Sequence, residues 1–558
     1  MPLPRLPIPR LPRPRLRWPL RTVGVVACAL LLTGCIAVQP VRPAPPRPAV
    51  PGEPIAAGSP VREGGDLVMG LSSEPDKLDP TTSSSLYTRY VMSSICEKLY
   101  DIGPTGELLP QLAAAMPEIS PDGRTVTITV RPGIRFADGT PLDAAAVVTT
   151  LQRHLTLPDS SRRSELGPVE SITATGPRTV TIGYERPFAP LTASLADRAG
   201  MIMSAAALAR PGVEFSQDPV CVGAFRFAER IPQTSITVVR DPNYYAADQV
   251  HLDSITYRIM NDSNIRSANL RSGDVQVADT ISPQDVDALA RERDVRVLQI
   301  PSLGYQGMTV NVGNTEGTGS PPGRIDTPLA SDPRVRRALA LSVDRTVLVN
   351  AVFNNWYEPA CSPVSPSTEY ATPASDACPP YDPARSRQLL AEAGVPAPYR
   401  VTMKVSNKPD TLRLAQALQA AVAQGGFEIA IEPVEYSTLL DVQDRGDFDL
   451  LQLGWSGRVD PHGNIANFLK TGASNNYSGY SNPQVDALIG QAAATIDPRA
   501  RAELYGRLVA QVQRDNPIVY LYRQRNLTAH TADVAGVQTF ADGVVRLSRA
   551  GFVDREVR

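Results

Sequence analysis

The sequence predicts an α/β fold, and three stretches carry the prediction. Residues 447–464, DFDLLQLGWSGRVDPHGN, begin as a strand: Phe448, Leu450, Leu451 and Leu453 make an apolar run that stops at Gly454 and Trp455. Ser456, Gly457, Asp460, Pro461 and Gly463 then forbid its continuation, because each is a turn former. Nearer the start, Leu67, Val68, Met69 and Leu71 read as a strand, followed by a turn through Asp79 and Pro80 and a helix from about Ser84 to Tyr100. Tyr87, Val91, Ile95 and Leu99 share one face of that helix. Finally, a turn at 121–123 leads into a strand alternating Val126, Ile128 and Val130, a second strand through Ile134 and Phe136 completes a hairpin, and a helix begins after Pro141. Strands that hand over to helices in this way pack as α/β layers. In open α/β folds ligands bind at strand ends, which is where Trp455 is delivered.

Residues 1–34 read as an export leader. Arg5, Arg10, Arg13, Arg15, Arg17 and Arg21 form a basic, Pro-broken start, and VGVVACALLL, residues 23–32, is an apolar run too short to span a bilayer comfortably. It ends in Leu32, Thr33, Gly34 and Cys35. This resembles the lipobox of bacterial lipoproteins, which implies that Cys35 is lipidated and becomes the first residue of the mature chain. An ordinary secretory leader with a cysteine at this place is the alternative. Acyl chains would hold the exported protein on the outer face of the cytoplasmic membrane without a spanning helix. The Pro-rich residues 35–63 then form an extended spacer, at about 3.1 Å per residue.

Loss of the six leader arginines takes the formal charge from −2 to −8. No run of basic residues alternating with aromatics follows residue 60, so no nucleic-acid partner is expected. Of the six cysteines, Cys28 leaves with the leader and Cys35 is taken by lipid. Cys361 and Cys378 flank a Pro/Ser/Thr-rich loop and are expected to be bridged, since an exported chain favours disulfides. Cys96 and Cys221 are left, as a second bridge or as two buried free thiols.

Enzyme chemistry finds little support. The four histidines, His154, His251, His462 and His530, show no metal-ligand spacing, and His462 is expected to be solvated in its Pro/Gly loop. Gly454, Trp455, Ser456 and Gly457 miss the nucleophile-elbow spacing by one residue, none of the five lysines follows a Ser at the spacing of a Ser-x-x-Lys motif, and no phosphate-cradling Gly-rich loop occurs. No cofactor and no metal site are expected.

Longer ordered patterns carry a family resemblance. Glu97, Leu99 and Tyr100 are followed by Gly106, Leu108, Pro110, Leu112 and Ala113; then by Ser120, Asp122, Gly123 and Thr125; then by Arg131, Gly133, Ile134, Phe136, Asp138, Gly139 and Pro141. Pro219, Val220, Gly223, Phe225 and Phe227 continue the series, with Arg240, Asp241, Pro242 and Tyr244 and then residues 252–279, 332–345, 381–394, 446–455 and 475–489 in order. Over residues 64–530 the chain resembles the extracellular solute-binding proteins of peptide and nickel ABC importers. It departs at Ala146, Cys221 and Ala224.

The resemblance implies a periplasmic-binding-protein-like fold of two hinged α/β lobes and a third, inserted domain. Laid on this numbering, lobe I takes residues 64–100, 219–305 and 521–558, the inserted domain 101–218 and lobe II 306–520. It also implies a small solute, peptide or peptide-like ahead of nickel, captured between the lobes and delivered to permease subunits. A lipoprotein of the same fold with a regulatory or docking role is the alternative. In peptide-binding members an Asp three residues after the Trp accepts the ligand's α-amino group; here Arg458 stands at that place, with Asp460 two residues on. A guanidinium suits an anion and not an ammonium. Arg458 is therefore expected to grip an anionic group of the ligand or to be neutralised by Asp460, with Trp455 as an apolar wall or as a core aromatic. Ser84, Ser85, Asn311 and Asn476 are further candidates lining the cleft.

Overall fold

The computed structural model describes residues 47–56 and 61–553; the leader, Cys35 and most of the spacer lie outside the described residues. Two open sheets organise the chain. The first has seven strands in the order Val295–Pro301, Arg525–Thr531, Val277–Ala278, Asp66–Leu71, Ser254–Ile259, Ser235–Arg240 and Phe225–Ile231. Its central pair, Asp66–Leu71 and Ser254–Ile259, is parallel. Leu67, Met69 and Leu71 alternate along one face and are fully buried there, which fixes the register, since a slip of one residue would turn all three outward.

The second sheet has six strands in the order Glu358–Pro359, Ile518–Arg523, Tyr305–Val310, Leu450–Trp455, Tyr399–Ser406 and Phe427–Val434. Tyr399–Ser406 and Phe427–Val434 are parallel and joined through the helix Pro409–Ala423. Pro409 opens that helix where its missing N–H costs nothing, and Leu414, Ala415, Leu418 and Val422 recur at helical spacing and are buried against the sheet. A four-stranded antiparallel sheet, ordered Glu118–Ile119, Thr125–Thr129, Thr179–Tyr184 and Val169–Ala174, belongs to the segment between.

The chain passes from the seven-stranded to the six-stranded sheet between Pro301 and Tyr305 and returns at Gln524, between Ile518–Arg523 and Arg525–Thr531. The two crossings are tied: Ser302 N–H donates to Gln524 C=O at 3.1 Å, and Ser302 Oγ accepts from Gly304 N–H at 2.9 Å. Gly304 is required here, because a Cβ on it would lie 1.8 Å from the Trp455 carbonyl oxygen.

Two expected elements differ. The first helix is Leu86–Ile95 and stops short of Tyr100, because Cys96 is bridged to Cys221 and the chain then pairs as extended backbone, Lys98 with Met201 and Tyr100–Ile102 with Leu108–Pro110. Ile134 and Phe136 are buried but form no hairpin strand; Thr125–Thr129 pairs instead with Glu118–Ile119 and Thr179–Tyr184. The left-handed turn at Gly133, φ +75°, and the tight turn closed by Gly139 N–H on Phe136 C=O divert the chain. Both disulfides are formed: Cys361–Cys378 as expected, and Cys96–Cys221, which resolves that pair as a bridge.

Candidate functional site

A cavity of about 190 Å³ lies where the two crossings meet, walled by both large sheets and the segments after them. Leu450–Trp455 supplies Gln452, Leu453, Gly454 and Trp455, and the helix Leu86–Ile95 supplies Tyr87 and Tyr90. Trp455 is both wall and core: its ring packs edge-on against Phe468 with centroids 4.9 Å apart, and Nε1 donates to Asn464 Oδ1 at 3.1 Å. Three amides run across the crossing, with Gln452 Nε2 donating to Gln306 Oε1 at 3.4 Å and Gln306 Nε2 to Gln524 Oε1 at 3.0 Å.

Lys408 enters the same cavity from the residue that precedes the helix Pro409–Ala423. Its ammonium donates to Tyr87 Oη at 2.9 Å and lies 4.7 Å and 4.9 Å from the ring centres of Tyr87 and Tyr436, which meet edge to face. Such a pair of rings attracts a cation through its π-faces. Burial, reinforced by the Arg266 charge, nonetheless pulls the Lys408 ammonium down to about 7, against the pull of Asp279, Glu435 and Asp410.

Arg458 points elsewhere. Its guanidinium lies over the Trp455 ring, 4.2 Å from the ring centre, and Nε is ion-paired with Asp197 Oδ2. Both residues are buried. Asp197 also accepts from Arg89 Nε at 3.0 Å, and Arg89 pairs in turn with Asp542 at 3.1 Å and donates to Ser456 Oγ at 3.3 Å. Burial alone would raise the Asp197 carboxyl, but Arg458, Arg89 and Arg198 outweigh it and hold it far below the usual carboxylate range. The expected neutralisation of Arg458 by Asp460 is corrected: Asp460 pairs with Arg501 Nη2 at 2.7 Å, and Arg501 is further held by Tyr370 and Tyr505. Asp460 Oδ1 also accepts His462 N–H, which turns it toward Arg501.

The remaining candidates lie outside the 190 Å³ cavity. Ser85 caps the helix Leu86–Ile95, with Oγ accepting Tyr87 N–H, and Ser84 N–H donates to Asp76. Asn311 holds the turn at 313–314 and reaches Gly446 C=O, while Asn476 closes the turn to Tyr480. Each spends its polar atoms within the protein: Ser85 and Asn476 on nearby backbone, Ser84 on the Asp76 carboxylate and Asn311 on the backbone of 313–314 and of Gly446. His462 is not solvated: it begins the helix His462–Leu469, is 6% exposed and packs edge-on against Phe188 at 5.4 Å. Burial pulls its imidazole down to about 4, so it is neutral. Among the described residues no cluster of His, Cys, Asp or Glu is placed to hold a metal ion.

The residues that sequence patterns did not single out are Lys408, Tyr436, the three glutamines, and Arg89 with Asp197. One signal was available: Lys408 is one of only five lysines in the chain and stands where a capping residue belongs, yet makes no side-chain cap.

Two open sheets joined by paired crossings, with a further small four-stranded sheet, have the α/β fold of the periplasmic binding proteins. The family model for bacterial extracellular solute-binding proteins, family 5, matches residues 107–477, and the chain belongs to that family. It is a substrate-binding protein of the peptide and nickel class of ABC importers. The glutathione-binding protein GsiB of Pectobacterium atrosepticum is 28% identical over 496 residues, covering 87% of this chain and 93% of its own. The structure of AgaA from A. tumefaciens R10 in complex with agropinic acid matches with a TM-score of 0.79 at 26% identity, over 88% of this chain and 99% of AgaA. The murein tripeptide binding protein MppA of Escherichia coli shares the fold, with a TM-score of 0.80 at 22% identity over 89% and 100% of the two chains.

Proposed function

We propose that the protein captures a peptide or peptide-like small solute between its two large-sheet lobes and delivers it to the permease subunits of an ABC importer. The observation that carries this is the cavity at the crossings, which takes its walls from both lobes, so that a solute bound there favours their closed arrangement. At about 190 Å³ it is below the usual 300–1,000 Å³ of drug-sized pockets, which favours a compact solute over a long peptide. The proposed lobes are those laid out from the sequence, with the return to lobe I moved from 521 to Gln524, since Ile518–Arg523 pairs in the six-stranded sheet. Lipidation of Cys35 would hold the exported protein at the outer face of the cytoplasmic membrane.

Native mass spectrometry of the protein purified without denaturation tests the proposal. A co-purified small molecule, released on unfolding, is the expected result. Absence of any such molecule, with no peptide in a screen raising the melting temperature, would overturn it. The second reading, a same-fold lipoprotein that regulates or docks a partner, draws on one observation: the protein's own Asp197 already neutralises Arg458.

A further inference from the structure

Part of the Pro-rich spacer is fixed to the folded body. Residues 47–52 lie along Val295–Pro301, the edge strand of the seven-stranded sheet: Val50 N–H donates to Gln299 C=O at 2.6 Å, and Val50 C=O accepts Gln299 N–H at 2.8 Å. Pro51 C=O accepts Thr539 N–H at 2.8 Å. Pro48 C=O accepts from the Gln299 side-chain amide and, at 3.1 Å, from Arg525 Nη2, which also donates to Arg47 C=O. Gln299 and Arg525 are buried, so donors that water does not reach find their acceptors on the spacer. The spacer also covers backbone groups that an edge strand would otherwise leave open.

Arg47 reaches the other large sheet. Its guanidinium carbon lies 3.7 Å from the centre of the Trp356 ring, and Trp356 stands between the helix Arg345–Phe353 and Glu358–Pro359, the edge strand of the six-stranded sheet. Among the described residues Arg47 makes no ion pair, so its charge is spent on that ring. Arg525 of the seven-stranded sheet adds a second link, 3.6 Å from Glu358. Arg47 and Val50 are only three residues apart, about 10 Å at full extension, and Pro48 between them stiffens the backbone. A chain this short, fixed to one sheet at Val50 and resting on the other at Trp356, leaves little slack for movement at the crossings. The arrangement it spans is the one in which Lys408, from the six-stranded side, donates to Tyr87 across the cavity at 2.9 Å. We propose that residues 47–52 are a strap that holds the two large-sheet lobes closed, so that loss of the Arg47–Trp356 contact opens the empty receptor. The inference rests on the reading of the protein as a receptor whose lobes close on a solute. A strap that raises the closed population raises the apparent affinity for any solute that the closed form binds.

Small-angle scattering and hydrogen exchange read by mass spectrometry test this on the exported chain, freed of any solute by unfolding and refolding with both disulfides intact. Arg47→Ala is expected to increase the radius of gyration and to speed exchange across residues 84–90 and 450–458, which face each other over the cavity, by at least about threefold, the effect of one exposed cation–π contact. Arg47→Lys keeps the cation and should restore part of the protection. Arg47 is half-buried at the surface and its side chain makes no hydrogen bond among the described residues, so the variant should fold. An Arg47→Ala protein that matches the unaltered one, faster exchange confined to residues 47–52 and 295–301, or an unaltered protein that is already spread would each overturn the inference. The receptor reading is judged separately, by the solute released in the unfolding step, so that either can fail alone.

Discussion

Arg458 and Asp197 form a buried ion pair that joins the turn after Leu450–Trp455 to the segment that carries the four-stranded sheet. Asp197 sits between two guanidiniums, Arg458 and Arg89. Removing one partner of such a pair strands a charge away from water, at a cost of about 3–5 kcal/mol. Arg458→Ala and Asp197→Ala are each expected to lower the unfolding free energy in urea by about that amount, and the double variant by less than the sum. A coupling below about 0.5 kcal/mol would show that the two residues do not interact.

Asp444 gives a pH dependence of the opposite kind to an ordinary ion-paired carboxylate. It borders a second cavity, of about 590 Å³, and burial, with Asp441 and Asp76 nearby, raises its carboxyl to about 7 despite Lys77 and Arg445. A folded-state value above the unfolded one contributes stability that is present below about pH 4 and is lost as the pH rises through about 7. Asp444→Asn should therefore raise the melting temperature at pH 8 and leave it nearly unchanged at pH 4. Equal shifts at both pH values would rule the carboxyl out as the cause.

The two disulfides close loops of very different length, 125 and 17 residues in separation. In the chain-entropy account the longer contributes about 5 kcal/mol and the shorter about 3. Replacing Cys96 and Cys221 together by Ala should cost more stability in guanidinium unfolding than replacing Cys361 and Cys378. A reversed order would place the effect in the folded state.

The proposed lipid anchor is on the Cys35 sulfur. With Cys35→Ala the protein should move from the membrane fraction to the soluble envelope fraction, as read by immunoblotting. A membrane-bound fraction that does not change would refute it.

The strands Asp66–Leu71 and Leu450–Trp455 were legible in the sequence because a buried strand leaves a local apolar run, and the turn after Trp455 because Gly457 and Pro461 punctuate it. Apolar alternation misled at Ile134 and Phe136, where burial comes from turns and not from pairing. The order of strands in either sheet was not legible, since Arg525–Thr531 lies between Val295–Pro301 and Val277–Ala278 and nothing local announces so distant a neighbour. At the site the same division holds. Trp455 could be picked out from its place at a strand end, whereas Arg458 was expected to meet a ligand anion or Asp460 and is paired with Asp197 instead. Ser85, Asn311 and Asn476 sat in conspicuous motifs because they shape turns and caps. Lys408 had no periodicity or motif to mark it.

The place of Arg525–Thr531 has a consequence for biosynthesis. Among the described residues it is the strand that joins Val295–Pro301 to Val277–Ala278, so until it emerges the sheet has two unjoined pieces with open edges. A nascent chain ending before Arg525 should remain sensitive to protease across residues 277–301, while the chain extended through Thr531 should resist it. The large sheet that is begun first is thus the last of the two to be finished.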